Sequence, residues 1–272
     1  MPTSPLTPQL AALFSGLIED ASGLRFSPHD RDLLGSKIET RAAEAGFPAL
    51  LDYYYRLRYD DPGGDELRAL VNGLLVHETY FFRELPSLVE LVDGFLAPLA
   101  AKRRVRVWSA ACATGEEPYT LAMLLAARGL LDQVDILGTD LSEPAIERAR
   151  TGKTTRQSLR DGHSEDLAAR YLEPHSRGYT VVPSIRAAVT FRTANLLDDA
   201  AITALGTFDA VICRNVMIYF SDETVITVLG RLASALAPGG LLTVGVAESL
   251  LRFGTQMGCE ERGGSFYYHA RR

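Results

Sequence analysis

The chain of 272 residues is 47% hydrophobic and 23% charged, and it carries a formal net charge of −6. This length suffices for one large core or two small ones, and the acidic balance excludes a protein that binds nucleic acid through overall positive charge. No secretory leader and no apolar run of about 18 residues occurs, and the three scattered cysteines predict neither a disulfide framework nor a zinc site. We therefore expect a cytoplasmic protein without membrane insertion, bound nucleic acid or metal.

The first hundred residues predict helices and no strand. Leu10, Leu13, Phe14, Leu17 and Ile18 recur at the three-and-four spacing of an amphipathic helix. Similar patterns, with their start and stop signals, predict helices over residues 10–18, 28–45, 48–57, 65–76 and 85–99.

From residue 104 onward the pattern changes to short strands that alternate with helices. Strands are predicted over residues 104–108, 134–139, 188–192, 208–213 and 241–246. Helices are predicted over residues 116–130, 143–150 and 222–236. This alternation predicts a mostly parallel sheet covered on both faces. The polar stretch 151–187 interrupts it and is expected to form a small inserted β subdomain.

The first predicted strand runs into a loop of small residues, Ser109 to Gly115. Open α/β sheets bind ligands beyond the carboxyl ends of their strands, and small residues let the backbone approach a ligand closely. Glu116 and Glu117 would repel a pyrophosphate and suit a ligand with hydroxyls and positive charge, which favours S-adenosylmethionine over a dinucleotide. Asp140, at the end of the second strand, can accept both ribose hydroxyl hydrogens. Alternatively, the glutamates complement the helix dipole and Asp140 caps the helix near residue 143.

Four sequence blocks carry a resemblance to a known family. They are VWSAACATGEEPY at 107–119, CRNVMIYF at 213–220, ETYFFRE at 78–84 and ANLL at 194–197. In order and spacing they resemble the CheR family, the chemotaxis receptor glutamate O-methyltransferases, from about residue 10 to the C-terminus. The resemblance implies an α/β fold: a Rossmann-like S-adenosylmethionine-dependent methyltransferase domain with a small β insertion, preceded by a small all-α N-terminal domain.

The resemblance and the patterns together predict three parts of the chain. Residues 1–84 form the N-terminal helical domain and residues 85–103 a linker helix. Residues 104–272 form the methyltransferase domain, within which residues 151–187 are the inserted β subdomain.

The family's motifs imply the site residues. Cofactor contacts fall at His77, Thr79, Arg83, Glu117, Asp140, Asn195, Leu196, Arg214 and Asn215. Many relatives have Asn where this chain has His77, so a histidine would have to supply that contact. The resemblance also nominates Arg83 and Tyr219 as catalytic. Arg83 can hold a carboxylate by a charge-assisted hydrogen bond, and Tyr219 can donate a second one that orients the attacking oxygen. Alternatively, residues 79–83 only pack on the second domain and Tyr219 belongs to the core.

The reaction implied is methyl transfer from S-adenosylmethionine to glutamate side chains on the cytoplasmic helices of chemoreceptors, with S-adenosylhomocysteine as product. We expect the enzyme to be a monomer. Lys37 and Arg41 lie four residues apart on one face of the second helix, which in the family offers basic residues to acidic receptor helices. Alternatively, this is a solvated face with intrahelical pairs to Glu44.

Three other functions remain open at the level of sequence. A methyltransferase for another acceptor, such as nucleic acid, is opposed by the negative charge and by the absence of a Pro-Pro pair after Asn215. A cofactor sensor without activity would not need both Arg83 and Tyr219. A methyltransferase of a non-motility chemosensory pathway would have the same sequence features. Some family members bind a receptor C-terminal pentapeptide through the β insertion; the short stretch 173–178, with Pro174, predicts that this chain does not.

Overall fold

The computed structural model describes residues 6–160, 164–254, 257–262 and 265–270. Its contacts divide the chain into two compact units. The smaller comprises Met1–Val76 with Tyr219–Thr224, and the larger comprises His77–Ile218 with Val225–Arg272. This division falls earlier in the chain than the predicted domain boundary after residue 84.

The part of the smaller unit that the structure describes contains four α-helices, as the periodicity predicted. They are α1 (Pro8–Ser22), α2 (Arg31–Glu44), α3 (Leu50–Tyr59) and α4 (Asp65–Leu74). Thr7 caps α1 by accepting a hydrogen bond from the Leu10 N–H, and Gly23 ends the helix with a φ of 78°. Phe14 and Ile18 of α1 are fully buried, which accounts for the apolar spacing in the sequence.

The remaining helices form the layers around the large sheet. They are α5 (Leu85–Glu90), α6 (Ala97–Ala100), α7 (Glu116–Ala127), α8 (Glu143–Thr151), α9 (Glu165–Tyr171), α10 (Pro183–Ala187), α11 (Asp199–Ala204) and α12 (Asp222–Ser234). A π-helical stretch, Leu91–Leu96, joins α5 to α6, so the predicted linker helix is one nearly continuous helical segment.

Ten strands of the described residues form two sheets. They are β1 (Val105–Ala110), β2 (Val134–Asp140), β3 (Lys153–Thr155), β4 (Leu172–His175), β5 (Gly178–Val181), β6 (Val189–Thr193), β7 (Phe208–Cys213), β8 (Leu236–Thr243), β9 (Met257–Arg262) and β10 (Ser265–Ala270). The large sheet has the order β6-β2-β1-β7-β8-β10-β9. Its first five strands are parallel to one another, as predicted. Strand β10 pairs antiparallel with β8 on one side and with β9 on the other.

The parallel strands are buried because helices cover them on both faces. Every residue of β7 is buried, and the single tryptophan, Trp108 on β1, is fully enclosed. The Trp108 indole N–H donates to the Thr139 hydroxyl at 2.9 Å, so its one polar group is satisfied inside the core. This rigid centre carries the loops at the carboxyl ends of the strands.

The strand predicted at 241–246 is displaced in the structure. Strand β8 begins at Leu236 and ends at Thr243. Its pairing with β7 shifts between Phe208 opposite Leu236 and Ala210 opposite Leu241, which leaves the Pro-Gly-Gly segment as an irregularity inside the strand. The sequence predicts the end of a helix at residue 236 and a strand only from residue 241, because proline and glycine usually interrupt regular elements.

The inserted β subdomain is confirmed as a three-stranded antiparallel sheet of order β3-β5-β4. The stretch 173–178, predicted as a short loop, is largely strand: Glu173, Pro174 and His175 belong to β4, and β5 starts at Gly178. Pro174 is accommodated because β4 is an edge strand. In the described part of the chain, no helix has the length and apolar character that crossing a membrane requires.

Candidate active site

The candidate site lies in the larger unit, where the strand order of the large sheet reverses. Strand β1 pairs with β2 on one side and with β7 on the other, so Ser109 faces Gly138 and Ile212. Connections that leave neighbouring strands in opposite directions open a crevice at the carboxyl edge of the sheet, where ligands of such folds bind.

The loop after β1 follows a path that excludes large side chains. Ala111 and Ala113 have positive φ angles of 58° and 49°, and Gly115 has a φ of 94°. A Cβ atom at Gly115 would approach the Phe191 ring and the Ala149 methyl group to 3.0 Å. The small residues of this loop are therefore needed to keep its backbone close to the end of the sheet.

Asp140, the last residue of β2, is buried and joins two loops. Its Oδ2 atom accepts a hydrogen bond from the Ala113 N–H at 2.8 Å, and its Oδ1 atom accepts one from the Ser142 N–H at 2.9 Å. Burial raises the pKa of the Asp140 carboxyl above its ordinary value, although these N–H donors act in the opposite direction. The helix cap that the sequence analysis considered for Asp140 is supplied by Ser142, whose hydroxyl accepts from the Ala145 N–H.

The two glutamates that begin α7 have different partners. Glu116 accepts hydrogen bonds from Thr114 and Ser158, at 2.7 and 2.9 Å. Glu117 accepts one from the Ser109 hydroxyl at 2.6 Å. Burial raises the pKa of both carboxyls. Both side chains are therefore parts of a hydrogen-bonded site, beyond any interaction with the helix dipole.

Arg214, directly after β7, is a buried cation between two carboxylates. Its side chain is 1% exposed and forms ion pairs with Glu84 at 2.9 Å and Glu117 at 3.3 Å. It also donates to the Arg83 carbonyl oxygen at 2.8 Å. A buried charge of this kind persists only when it is paired and hydrogen-bonded. Arg214 therefore connects the segment around residue 84 to the ends of β1 and β7.

Arg83 places its guanidinium group beside the Tyr80 ring. It donates a hydrogen bond to the Glu78 carbonyl oxygen at 3.0 Å, and it lies 5.5 Å from the centre of the Tyr80 ring. Arg160 lies over the same ring at 4.0 Å and pairs with the Glu78 carboxylate. Among the described residues no carboxylate forms an ion pair with Arg83, so this side chain can receive an anionic group.

Sequence reasoning missed Tyr80, Ser158 and Arg160, although Tyr80 lies inside a block that carried the resemblance. Ser158 and Arg160 belong to the insertion, whose polar composition gave no signal of a link to the site. Their bonds to Glu116 and Glu78 show that this part of the insertion adjoins the site in the larger unit.

Asn195 and Leu196 follow β6. The Asn195 side-chain oxygen accepts the Leu197 N–H at 2.9 Å, and Leu196 is buried. The Asn195 turn and Asp140 are joined, because the Ala194 N–H donates to the Asp140 carbonyl oxygen at 2.9 Å. The structure thus brings these residues to the carboxyl edge that Asp140 occupies.

Asn215 has a positive φ of 59°, and its Nδ2 atom lies 3.5 Å from Glu84. Its main-chain N–H donates to Glu248 at 2.6 Å. Glu248 was not predicted from the sequence. It lies in a segment after β8 that the pattern assigned no role, and only its contacts single it out.

His77 and Thr79 lie in the irregular segment before α5. Desolvation lowers the pKa of the His77 imidazole, the Asp140 carboxylate acts to raise it, and the cation of Arg148 lowers it further. The His77 imidazole and the Asp140 carboxylate therefore interact electrostatically. Thr79 is half-buried.

Tyr219 belongs to the smaller compact unit. Its carbonyl oxygen accepts the Arg25 N–H at 2.8 Å, and its neighbour Phe220 forms a bridge with Leu24. The ring is half-buried. An ordinary core residue would be fully buried, and Tyr219 is not.

Lys37 and Arg41 differ in their partners on α2. Arg41 donates to both carboxylate oxygens of Glu66, at 2.8 and 2.6 Å, and to Glu44 at 3.3 Å. Tyr53 also donates to Glu66. The pair of Arg41 with Glu44, considered from the sequence, is therefore present. Lys37 is exposed and forms no ion pair with any residue of the described chain.

Comparison with protein-family models gives two adjoining matches. Residues 11–75 match the model described as "CheR methyltransferase, all-alpha domain". Residues 77–262 match the model described as "CheR methyltransferase, SAM binding domain". The junction between these matches coincides with the division between Val76 and His77 in the structure.

Curated proteins of similar sequence carry related names. The chemotaxis protein methyltransferase Cher2 of Pseudomonas putida is 34% identical over 248 residues, which cover 87% of this chain and 89% of that protein. A chemotaxis protein methyltransferase of Vibrio parahaemolyticus is 35% identical, with coverage of 87% and 88%. The probable biofilm formation methyltransferase WspC of Pseudomonas aeruginosa is 34% identical over 88% of this chain, which spans 56% of that protein.

Proposed function

Because this chain belongs to the CheR methyltransferase family, we propose that it transfers the methyl group of S-adenosylmethionine to glutamate carboxylates on the cytoplasmic helices of chemoreceptors. One observation carries the proposal most directly. Arg83, which forms no ion pair with a carboxylate of the described residues, adjoins a buried network of Glu84, Glu117 and Arg214 at the carboxyl edge of the sheet. The proposed enzyme acts in the cytoplasm as a monomer.

The residues present fit the cofactor. Asp140 is a buried carboxylate at the end of β2 with lone pairs beyond those used by its two N–H donors, and it can accept ribose hydroxyls. Glu117 is a buried acid beside the same loop and suits a cationic amine. We assign cofactor contacts to His77, Thr79, Arg83, Glu117, Asp140, Asn195, Leu196, Arg214 and Asn215.

The chemistry needs alignment and charge control more than proton transfer. S-adenosylmethionine supplies a methyl group on a positively charged sulfur, and a glutamate carboxylate is already an anionic nucleophile at neutral pH. The chain must hold the carboxylate in line and remove its water. Alignment of this kind is worth about 7–11 kcal/mol of the barrier. The lost water must be replaced by fixed polar groups.

Arg83 and Tyr219 are the residues that we assign to the carboxylate. Arg83 would balance its negative charge with a charge-assisted hydrogen bond, since its guanidinium forms no ion pair within the described chain. Tyr219 would donate from its hydroxyl to the other oxygen and so select the oxygen that attacks. Neither group needs to change its protonation state.

Receptor recognition is proposed to involve Lys37. Its exposed ammonium group can meet an acidic receptor helix, and one exposed charge pair is worth about 0.2–1 kcal/mol. A receptor contact by Arg41 would require its release from Glu66, which accepts two hydrogen bonds from it. Lys37→Ala is therefore expected to raise the receptor KM about two- to fivefold. Arg41→Ala should instead lower the free energy of unfolding, and equal effects of both changes on KM would contradict this assignment.

The main test uses methyl-labelled S-adenosylmethionine and membranes that contain candidate receptors. Label incorporated into receptor and released as methanol by mild alkali identifies a carboxyl methyl ester. Membranes without receptor, and receptor whose candidate glutamates are replaced by alanine, are the controls. A receptor panel should include receptors of motility and receptors of biofilm formation, since probable biofilm formation methyltransferases are among the relatives. Alkali-stable label, or label on nucleic acid, would refute the proposal.

A further inference from the structure

We propose that Glu248 is a positioning residue of the methyl-transfer site: its carboxylate fixes the backbone of the loop after β7, which carries Arg214 and Asn215. The inference rests on the proposed function, because it concerns how that same site is held in shape. The four sequence blocks on which the family resemblance rests do not include Glu248.

Glu248 binds three main-chain N–H groups from two loops. Its Oε2 atom accepts from the Asn215 N–H at 2.6 Å and the Gly245 N–H at 2.9 Å, and its Oε1 atom accepts from the Met217 N–H at 2.8 Å. The residue is 6% exposed. Within the described residues no arginine, lysine or histidine forms an ion pair with it, so backbone donors stabilise the buried charge. Such a cradle of N–H groups is a recognised form of anion site.

The three bonds determine the shape of the loop after β7. Asn215 has a φ of 59°, a conformation that few residues with side chains adopt and that asparagine tolerates best. Its N–H is bonded to Glu248, and its Nδ2 atom lies 3.5 Å from Glu84. Two residues later the Met217 N–H is bonded to the other Glu248 oxygen. The two oxygens of the carboxylate thus bind the turn at both Asn215 and Met217.

Gly245 provides independent evidence that this packing is specific. A Cβ atom at Gly245 would come within 2.7 Å of the Asn215 Nδ2 atom and 2.8 Å of the Glu248 Oε2 atom. Both distances are shorter than van der Waals contacts, so any side chain at residue 245 would displace the carboxylate or the asparagine. The loop after β8 therefore approaches the loop after β7 as closely as a glycine allows.

Replacing Glu248 with glutamine removes the negative charge and part of the hydrogen-bond acceptors and keeps the shape of the side chain. The amide has the same size, but its NH2 group has hydrogens where the carboxylate has lone pairs. In either orientation, at least one of the three main-chain donors then faces another donor. The segment after β7 should move slightly while the fold persists. A shift below one ångström in a group that aligns reactants lowers the turnover rate strongly.

The experiment compares wild type, Glu248→Gln and a control, Glu261→Gln, which changes an exposed glutamate on β9. Calorimetric titration with S-adenosylhomocysteine gives the fraction of competent sites and the affinity. Receptor methylation then gives kcat per competent site and KM. Hydrogen exchange measures the amides of Asn215, Met217 and Gly245. We expect Glu248→Gln to lower kcat per site at least tenfold, to leave receptor KM within threefold, and to speed exchange at these amides at least tenfold.

A folded Glu248→Gln enzyme with kcat within twofold of wild type, or with unchanged exchange at these amides, would overturn the inference. If Glu248→Gln does not fold, Gly245→Ala serves as the second variant and must give the same pattern. If the wild type esterifies no receptor, the proposed function fails by itself. The cofactor affinity of Glu248→Gln then tests the role of Glu248. Binding at least tenfold weaker than in the wild type, together with faster exchange at the three amides, supports this role, and unchanged affinity refutes it.

Discussion

Replacing Asp140 with alanine is expected to weaken the binding of S-adenosylhomocysteine about 10- to 100-fold, or about 1.4–2.7 kcal/mol. The magnitude follows from the hydrogen bonds assigned to this carboxylate. Each bond from a ribose hydroxyl to a charged acceptor contributes about 1.5–3 kcal/mol, and water entering the space left by the side chain recovers part of that. Isothermal calorimetry at pH 7 measures the change directly.

A matched variant separates ligand contact from loop structure. Asp140 also accepts the Ala113 and Ser142 N–H groups, so alanine leaves these donors without their partner. Asp140→Asn keeps the volume and one acceptor oxygen, and it should retain more stability than alanine. Urea unfolding of both variants measures the structural part, which we expect to be about 1–3 kcal/mol for alanine.

The pH dependence of binding gives a further check on Asp140. Burial raises the pKa of this carboxyl above 3.8, so it gains a proton at a higher pH than an ordinary aspartate. Cofactor affinity of the wild type should therefore fall as the pH is lowered toward that raised pKa. Asp140→Asn should show a weaker dependence, and the remainder should come from Glu117, whose pKa burial also raises. Wild-type affinity in Asp140→Ala, or the same acid dependence in Asp140→Asn, would refute the reasoning.

Further outcomes are expected at other residues. Tyr219→Phe should lower kcat with cofactor affinity within about threefold, because only a hydroxyl is lost; Arg83→Ala should lower kcat about 10- to 100-fold by removing a charge-assisted bond. Normal turnover in either variant would remove that residue from the catalytic assignment. At Asp209, burial acts to raise the pKa, but bidentate bonds from Arg103 outweigh it and hold the pKa below 3.8. Its contribution to stability is therefore present above about pH 4 and lost as the pH falls through the folded-state pKa. The difference in unfolding free energy between wild type and Asp209→Asn should shrink below pH 4 in urea titrations. A receptor C-terminal pentapeptide should show no saturable binding in calorimetry, since β4 and β5 are joined by a turn too short to open beside the sheet edge; low-micromolar binding would contradict this.

The sequence by itself determined the architecture of both parts. Helical spacing such as that of Phe14 and Ile18 placed the helices, because one face of each must be buried. Largely apolar runs such as 208–213, which Asp209 alone interrupts, placed the central parallel strands, because both faces of such a sheet are covered. The sequence also predicted a cofactor site at the small-residue loop and Asp140, because a ligand that lies close to the backbone restricts which side chains the loop can carry. The resemblance supplied the remaining assignments.

Tertiary structure alone decided which polar groups meet. The pairing of Arg214 with Glu84 and Glu117 joins residues from three separate segments, and no local spacing encodes such contacts. The same is true of Arg41, where a local pair with Glu44 was considered and the bidentate partner is Glu66, from another helix.

Strand pairing and loop closure were also decided by the assembled chain. Strands β9 and β10 went unpredicted, and β8 runs through a Pro-Gly-Gly segment, because pairing with neighbours outweighs weak local preferences. Glu248 resembles any surface glutamate in the sequence. It acquires its role only when two neighbouring parallel strands bring their loops together, since a carboxylate can then satisfy three buried N–H groups that would otherwise lack acceptors.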